Sequence, residues 1–368
     1  MTTPGLLPTG FRDRLPPHAD TAARLEAAML GAFAGHGYER VDAPLLSFAD
    51  DSAGGLRRGG RADTLRAVDP ASGRTLGLRA DLTRQIGRIA TTAMADNPRP
   101  VRLSYAGPVC RLTAPPARPE RQLTQVGAEL IGADHVGAAL EVARMTVDAL
   151  AAAGARDVTV DLTLPDLVQT LASDAMPARD VPALAAALDA KDAGRVAALA
   201  PAYLPLLDAV GPFADASAVL RALDTGGALT SRLEGLARIA DALSGAARVT
   251  LDPTERHGFE YQSWLGFSLF ADAIPGELGR GGTYALTHPN GDVEPATGVS
   301  LFLDPLVDAA AVRAERRRLF LPLGHDEAEA ARLRGEGWVT VRAFGVEDTA
   351  VRQCCSHELK NQSVEHAQ

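Results

Sequence analysis

Two apolar stretches, VRLSYAGPVCRL at 101–112 and RQLTQVGAELIG at 121–132, lie either side of the proline-rich segment TAPPARPE. Their length and spacing predict two long antiparallel strands joined by a turn, and such a pair requires a sheet with other elements packed on it. Gln125, Gly127 and Glu129 fall at alternate positions, so all three share one face of the second strand. Arg111 ends the first. A charged group on a buried strand must be paired or must meet a ligand. The residues leave both readings open: an internal Arg111–Glu129 ion pair, or a site for something small and doubly charged.

The rest of the chain alternates strand and helix signals. PPHADTAARLEAAMLGAFAGHGYERV predicts a helix, with Leu25, Met29, Leu30 and Phe33 at helical spacing and HGY closing it. ERVDAPLLSF reads as a strand with an edge proline, and residues 50–64 as a loop whose arginines among glycines could meet an anion, although such a stretch is more often simply solvated. LRAVDPASGRTLGLRADLT carries a hairpin signature, followed by a helix in RADLTRQIGRIATTAM. A long helix, ADHVGAALEVARMTVDALAAAGA, precedes the strand VTVDLTL. Residues 164–245 are rich in Ala and Leu with Pro and Gly breaks, which predicts a helical insertion. Sheet character resumes through HGFEYQSWLGFSLF. GELGRGGTYAL then reads as a glycine turn, ATGVSLFLDPLVDAA as a strand leading into a helix, and the segment from 316 as strand, helix, strand. The last dozen residues read as frayed. The expected class is α+β: a mainly antiparallel sheet with flanking helices. The expected segments are 1–163, an insertion at 164–245, a second core part at 246–315, and a small α/β piece at 316–368.

Composition removes several chemistries. The 368 residues carry a net charge of −9, which argues mildly against a phosphate-gripping nucleic-acid face. The chain has 35 arginines but only two lysines, Lys191 and Lys360, and neither sits in a Schiff-base or phosphate-loop context. Three cysteines without a CxxC predict a reducing, cytoplasmic setting and no disulfide frame. The eight histidines never sit three or four apart, so no helical zinc pair is visible. No run is long and apolar enough to span a membrane, and the N-terminus lacks a signal-peptide pattern. GRGGTY misses the dinucleotide fingerprint because Tyr284 stands where the last glycine belongs, and Gly298-Val-Ser300 lacks the second glycine of a nucleophile elbow. What remains is a set of polar residues on strands expected to be buried: Asp81 after LGLR, Arg111, Gln125, Glu129, and Glu260 with Gln262 on one face of a strand that turns Tyr261 to the other. Carboxylates to hold an ammonium group, an arginine to hold a carboxylate and an amide are the parts of an amino-acid site.

The ordered blocks GFRDRLPP, LGLRADLTRQIGRIA, RLSYAGPVCR, RQLTQVGAELIG, HGFEYQSWLGFSLF, GRGGTYAL and ATGVSLFLDPL, over roughly residues 5–310, resemble the catalytic domain of class II histidyl-tRNA synthetases. They look closer still to the synthetase-like paralogues of that group, the regulatory subunits of ATP phosphoribosyltransferase. The resemblance implies a class II synthetase-like sheet and a histidine-binding pocket. It assigns Asp81, Thr83, Arg111, Gln125, Glu129, His257, Glu260, Tyr261 and Gln262 to that pocket, with Arg111 as the motif 2 arginine and Gln125 and Glu129 as the pair gripping the ammonium group. His257 suits a satisfied structural histidine equally well.

Three departures from the synthetase pattern shape the functional expectation. His257-Gly-Phe-Glu260-Tyr261-Gln262 replaces the Arg-Gly-Leu-Asp-Tyr-Tyr block, and Arg256 is one position out of register. Phe302-Leu-Asp304-Pro305 replaces the Gly-Leu-Glu-Arg end of motif 3, whose arginine clamps ATP phosphates. Losing such a clamp removes orders of magnitude in rate. Only about sixty residues follow motif 3, too few for the usual anticodon-binding domain. The expectation is a non-catalytic regulatory subunit that binds histidine as an effector and uses no cofactor, metal, nucleic acid or membrane. Its implied partner is the short catalytic form of ATP phosphoribosyltransferase, in a hetero-octamer built around a synthetase-like homodimer. The competing expectation is a divergent histidyl-tRNA synthetase or a stand-alone adenylate-forming ligase.

Overall fold

The computed structural model describes residues 6–49, 64–114, 119–174, 176–256, 262–310, 317–360 and 363–367. The chain forms two compact units, 1–311 and 312–368.

The first unit begins with α1 (His18–Gly35), whose Leu25, Met29 and Phe33 recur every four residues and are at most 2% exposed. Burying each such side chain contributes about 1.5–3 kcal/mol. Gly37, at φ +85°, turns the chain, and the Tyr38 N–H donates back to the Phe33 carbonyl at 3.1 Å. The predicted single strand at 39–48 is two: β1 (Glu39–Arg40) and β2 (Leu46–Phe48), in different sheets. Pro44 has no N–H to give a ladder, and the carbonyls of Ala43, Pro44 and Leu45 are taken by the Arg79 guanidinium, the Gln85 amide and the Arg79 N–H. β2 joins the predicted hairpin, β3 (Arg66–Val68) and β4 (Thr75–Leu78), in an antiparallel sheet of order β2-β4-β3. All of the predicted 50–64 loop except Thr64 lies outside the described residues.

After α2 (Thr83–Thr91) come β5 (Val101–Cys110) and β6 (Gln122–Ile131), paired antiparallel along their whole length. α3 (Val136–Ala152) and β7 (Val158–Thr163) follow. The helical region holds α4 (Leu167–Ala172), α5 (Val181–Asp189), α6 (Ala193–Leu199), a 3-10 stretch (Pro201–Asp208), α7 (Phe213–Leu223) and α8 (Thr230–Leu243). A two-residue strand, β8 (Gly211–Pro212), interrupts it and pairs with β9 (Arg248–Leu251) at the edge of the main sheet. Asp180 and Asp192 accept from N–H groups in the first turns of α5 and α6 and so fix where these helices start.

β10 (Gln262–Ala271), β11 (Ile274–Thr287) and β12 (Val293–Phe302) complete a nine-stranded sheet of order β1-β5-β6-β12-β11-β10-β7-β9-β8, and α9 (Leu303–Ala310) closes the unit. Among the described residues of this sheet, the β1/β5 and β7/β9 pairs are parallel and the others antiparallel. The predicted glycine turn at GELGRGGTYAL is the middle of β11. Its glycines serve close approach rather than reversal: a Cβ at Gly281 would meet the Phe267 ring at 2.3 Å and the Gly298 carbonyl at 2.6 Å.

One face of the sheet, with Val126, Ala128, Leu130, Val299 and Leu301, packs on α1 and α3. The other, with Leu103, Tyr105, Tyr284 and Ala296, packs on Leu82, Ile86 and Ala90 at and beside α2. The Gln125–Glu129 row lies on this second face.

The second unit holds β13 (Arg318–Leu321), α10 (Glu327–Gly335), β14 (Val339–Arg342), β15 (His357–Lys360) and β16 (Ser363–His366), with sheet order β14-β13-β15-β16. The tail expected to fray therefore pairs: β15 runs parallel to β13, β16 pairs back on it, and Leu359 is buried beside Leu319 and Leu333.

Candidate functional site

The second face of the sheet carries a connected chain of polar side chains. Gln125, 1% exposed, uses its whole amide. Its Nε2 donates to Asp81 Oδ2 at 3.0 Å and to Ser300 Oγ at 2.6 Å, and its Oε1 accepts from the Leu82 N–H at 3.0 Å. One β6 side chain thus fixes the start of α2 and orients Asp81. Ser300 Oγ lies 3.2 Å from the Tyr105 hydroxyl, which in turn lies 3.2 Å from Thr83 Oγ1. Tyr105 donates to Glu129 Oε1 at 3.0 Å, and Tyr284 donates to Glu129 Oε2 at 2.6 Å.

Glu129 is 1% exposed and sits without a cation among these groups. Burial pushes its carboxyl up to about 8, against the pull of the Tyr284 and Tyr105 hydroxyls; the nearby Asp81 charge raises it further. Two glycines make room. A Cβ at Gly127 would lie 2.4 Å from the Tyr105 ring, and a Cβ at Gly298 would lie 1.5 Å from Glu129 Oε2. The arrangement suits a positively charged donor, which would favour the ionised form of Glu129.

Asp81, Thr83, Gln125 and Glu129 are brought together in this one chain of contacts. Arg111 lies just beyond β5. Its guanidinium stands 5.2 Å from the centre of the Phe302 ring, and Phe302 is in register with Gln125, so the arginine is at the rim of the same face. The alternative Arg111–Glu129 ion pair is excluded by register: Glu129 faces Leu103, and Arg111 is a further ~26 Å along at the rise of a strand. Gln262 opposes Tyr284 across the β10–β11 ladder. His257, Glu260 and Tyr261 lie outside the described residues. Tyr105, Tyr284, Ser300 and Gly298 were not among the predicted site residues. The available signal was Gly127 itself: a glycine inside a buried strand marks a close approach, and here Tyr105 approaches it.

At the start of α9, Asp304 is 5% exposed; it accepts the Thr124 N–H at 2.8 Å and the Arg14 guanidinium. Pro305 sits in the first turn. A cavity of about 420 Å³ beside it is lined by Leu7, Phe11, Arg12, Arg14, Thr124 and Asp304. Among the described residues no group of three or more potential metal ligands is gathered, and no helix is long and apolar enough to cross a membrane.

Comparison with known proteins places this geometry. A family model described as histidyl-tRNA synthetase matches residues 10–306. The chain is 43% identical to the ATP phosphoribosyltransferase regulatory subunit of Paramagnetospirillum magneticum, over 96% of each chain. It is also 43% identical to that of Rhodospirillum centenum, over 96% of this chain and 94% of the other. The chain belongs to the ATP phosphoribosyltransferase regulatory subunit family. Its fold is the class II synthetase fold. A solved ATP phosphoribosyltransferase regulatory subunit/histidyl-tRNA synthetase from Bacillus halodurans superposes with a TM-score of 0.80 at 22% identity, covering 96% and 97% of the two chains. Histidyl-tRNA synthetase from Nostoc superposes at 0.76 and 14% identity, covering 98% and 92%. Both ATP phosphoribosyltransferase regulatory subunits and histidyl-tRNA synthetases therefore share the sheet on which the Gln125–Glu129 row is displayed.

Proposed function

We propose that this chain is a non-catalytic regulatory subunit of ATP phosphoribosyltransferase, required for the first step of histidine biosynthesis, and that it carries feedback inhibition by binding free histidine. The reading rests on one observation: a buried carboxylate, Glu129, is linked through Tyr105, Ser300 and Gln125 to a half-buried one, Asp81, on one face of the main sheet. In this reading Glu129, Gln125 and Asp81 receive the ammonium group, with Thr83 bracing Tyr105, while Arg111, ~26 Å along from Glu129 at the rise of a strand, stays at the rim and does not hold the carboxylate of the same molecule. By the resemblance, Glu260 or Gln262 receives the imidazole. The partner is the short catalytic form of the transferase, in a hetero-octamer around a homodimer of this chain. Allosteric coupling of this kind amounts to about 1–3 kcal/mol and is reciprocal.

The matching synthetase family model favours a second reading, an adenylate-forming enzyme. Against it, Pro305 occupies the clamp arginine's place, and its neighbour Asp304 is committed to Arg14 and the Thr124 N–H. Calorimetry with histidine, histidinol and alanine, beside pyrophosphate exchange with histidine and ATP, separates the two. Saturable histidine-selective heat without exchange is expected. Exchange activity would replace the regulatory reading with the enzymatic one. Asp81→Ala and Glu129→Ala should each weaken histidine at least about tenfold; unchanged affinity in both would remove the site.

A further inference from the structure

The helical region between β7 and β9 grips the segment that follows β9 at the turn joining α5 to α6. α5 ends in a main-chain cap: the Lys191 N–H donates to the Leu188 carbonyl at 3.0 Å and the Asp192 N–H to the Ala187 carbonyl at 2.9 Å. The cap sets Lys191 at φ +54°, a conformation that favours glycine because a Cβ is strained there. A lysine stands there instead, one of two in the chain. Its side chain supplies the reason. Nζ donates to Asp252 Oδ1 and to Thr254 Oγ1, both at 2.6 Å, and these partners are 9% and 3% exposed.

Residues 252–256 lead from the end of β9 toward β10, and three further bonds pin them. The Arg256 N–H donates to Asp189 Oδ1 at 2.7 Å, Thr163 Oγ1 donates to the Glu255 carbonyl at 2.7 Å, and the Asp252 N–H donates to the Leu162 carbonyl at 2.9 Å. Arg256 stands six positions before Gln262, where β10 begins. The start of β10 has little ladder of its own. β7 ends opposite Gly266, so among the described residues 262–265 have β11 alone beside them, and the β10–β11 register shifts between Gln262 and Gly266. There the Thr283 hydroxyl, in place of a carbonyl, takes the Leu265 N–H at 3.2 Å. A strand start with so few main-chain partners takes its position from the chain that leads into it.

The Lys191 ammonium is also a cation in an acidic neighbourhood. Burial, then the Asp189 and Asp252 charges, raise the Glu255 carboxyl, and Lys191 and Arg280 oppose them. Burial and Asp252 raise Asp161 in the same way, again opposed by Lys191. Without the ammonium, the Asp252 carboxylate stays buried with its cation gone and Asp161, Asp189 and Glu255 around it, so the segment loses its seat on the turn.

We propose that Lys191 and Asp189 are positioning residues of the ligand site: the α5–α6 turn holds residues 252–256, and through them the start of β10, so the helical region sets ligand affinity without touching the ligand. The inference rests on the histidine reading above, which gives the imidazole to Glu260 or Gln262. Because coupling is reciprocal, a bound ligand tightens the turn in return.

The test uses the full-length chain. Hydrogen exchange of the unaltered protein is read at the amides of Lys191, Asp192 and Arg256, with and without saturating histidine. Histidine should slow all three at least about fivefold, the lower end of such a coupling. Lys191→Met and Asp189→Ala, each titrated at a temperature where circular dichroism shows it folded, should bind histidine at least about fivefold more weakly. Arg232→Ala breaks the Arg232–Asp166 ion pair elsewhere in the helical region and should bind as the unaltered chain does. Unchanged exchange overturns the proposal, as does unchanged affinity in either folded variant. An equal loss in Arg232→Ala overturns it too, because that loss would be general loosening. If Lys191→Met does not fold, Asp189→Ala and the exchange comparison decide. Absence of saturable histidine binding overturns this inference and the histidine reading together, whereas histidine binding without these effects overturns this one alone.

Discussion

Glu129 gives the site its chemistry and also a pH dependence whose sign follows from its surroundings. Its carboxyl is pushed up to about 8 in the folded chain, while the unfolded value is 4.5. Between these two values the empty folded protein keeps a proton that the unfolded chain has released, so this group's contribution to stability falls as pH rises. The melting temperature of the ligand-free protein should therefore drop from about pH 5 to about 8, and Glu129→Gln should flatten that slope. Asp161 and Glu255, also raised by burial, leave a residual slope of the same sign. Affinity for an ammonium-bearing ligand should move the other way, strengthening from about pH 7 to about 8 as Glu129 ionises, above the range where imidazole itself titrates near about 6.5. At Gly298 the prediction is steric. Gly298→Ala places a methyl on the Glu129 carboxylate, so ligand heat should vanish and unfolding should cost about 1–3 kcal/mol less.

At the scale of elements, the long alternating strands were legible because period-2 patterning is strong in β5 and β6, and Leu25, Met29 and Phe33 gave α1 away at helical period. Three elements were not. β11 hides behind its glycines, whose purpose becomes visible only when β12 and Phe267 lie alongside. The broken 39–48 strand depends on Arg79 and Gln85, more than thirty residues away. β15 and β16 present a single well-buried side chain, Leu359, too little periodicity to separate from a frayed tail. The site was legible in the same proportion: Gln125 and Glu129 followed from alternation, whereas Tyr284 reaches Glu129 from across β12, a contact that no local spacing encodes. A test at this scale concerns the seat of α9. Asp304→Ala leaves the half-buried Thr124 N–H without its acceptor and Arg14 without its carboxylate partner, and should lower stability by about 1–3 kcal/mol in denaturant titration while leaving histidine heat unchanged.

For the whole molecule, every described site residue belongs to the unit ending at Ala311. A chain stopped at Ala311 should unfold cooperatively and bind histidine with the affinity of the full chain in calorimetry; a large loss would assign part of the pocket to residues 312–368. The bare main chain at the paired Gly282 and Gly298 bears on how a site of this kind changes over generations. A floor of bare main chain can be altered by substitution only toward less room, so random change at either position closes the receptor instead of retuning it. Lineages that no longer need the signal should lose it abruptly and by many routes. Lineages acquiring a bulkier effector must find the space in the walls, at positions such as Gln262, because the floor has none left to give.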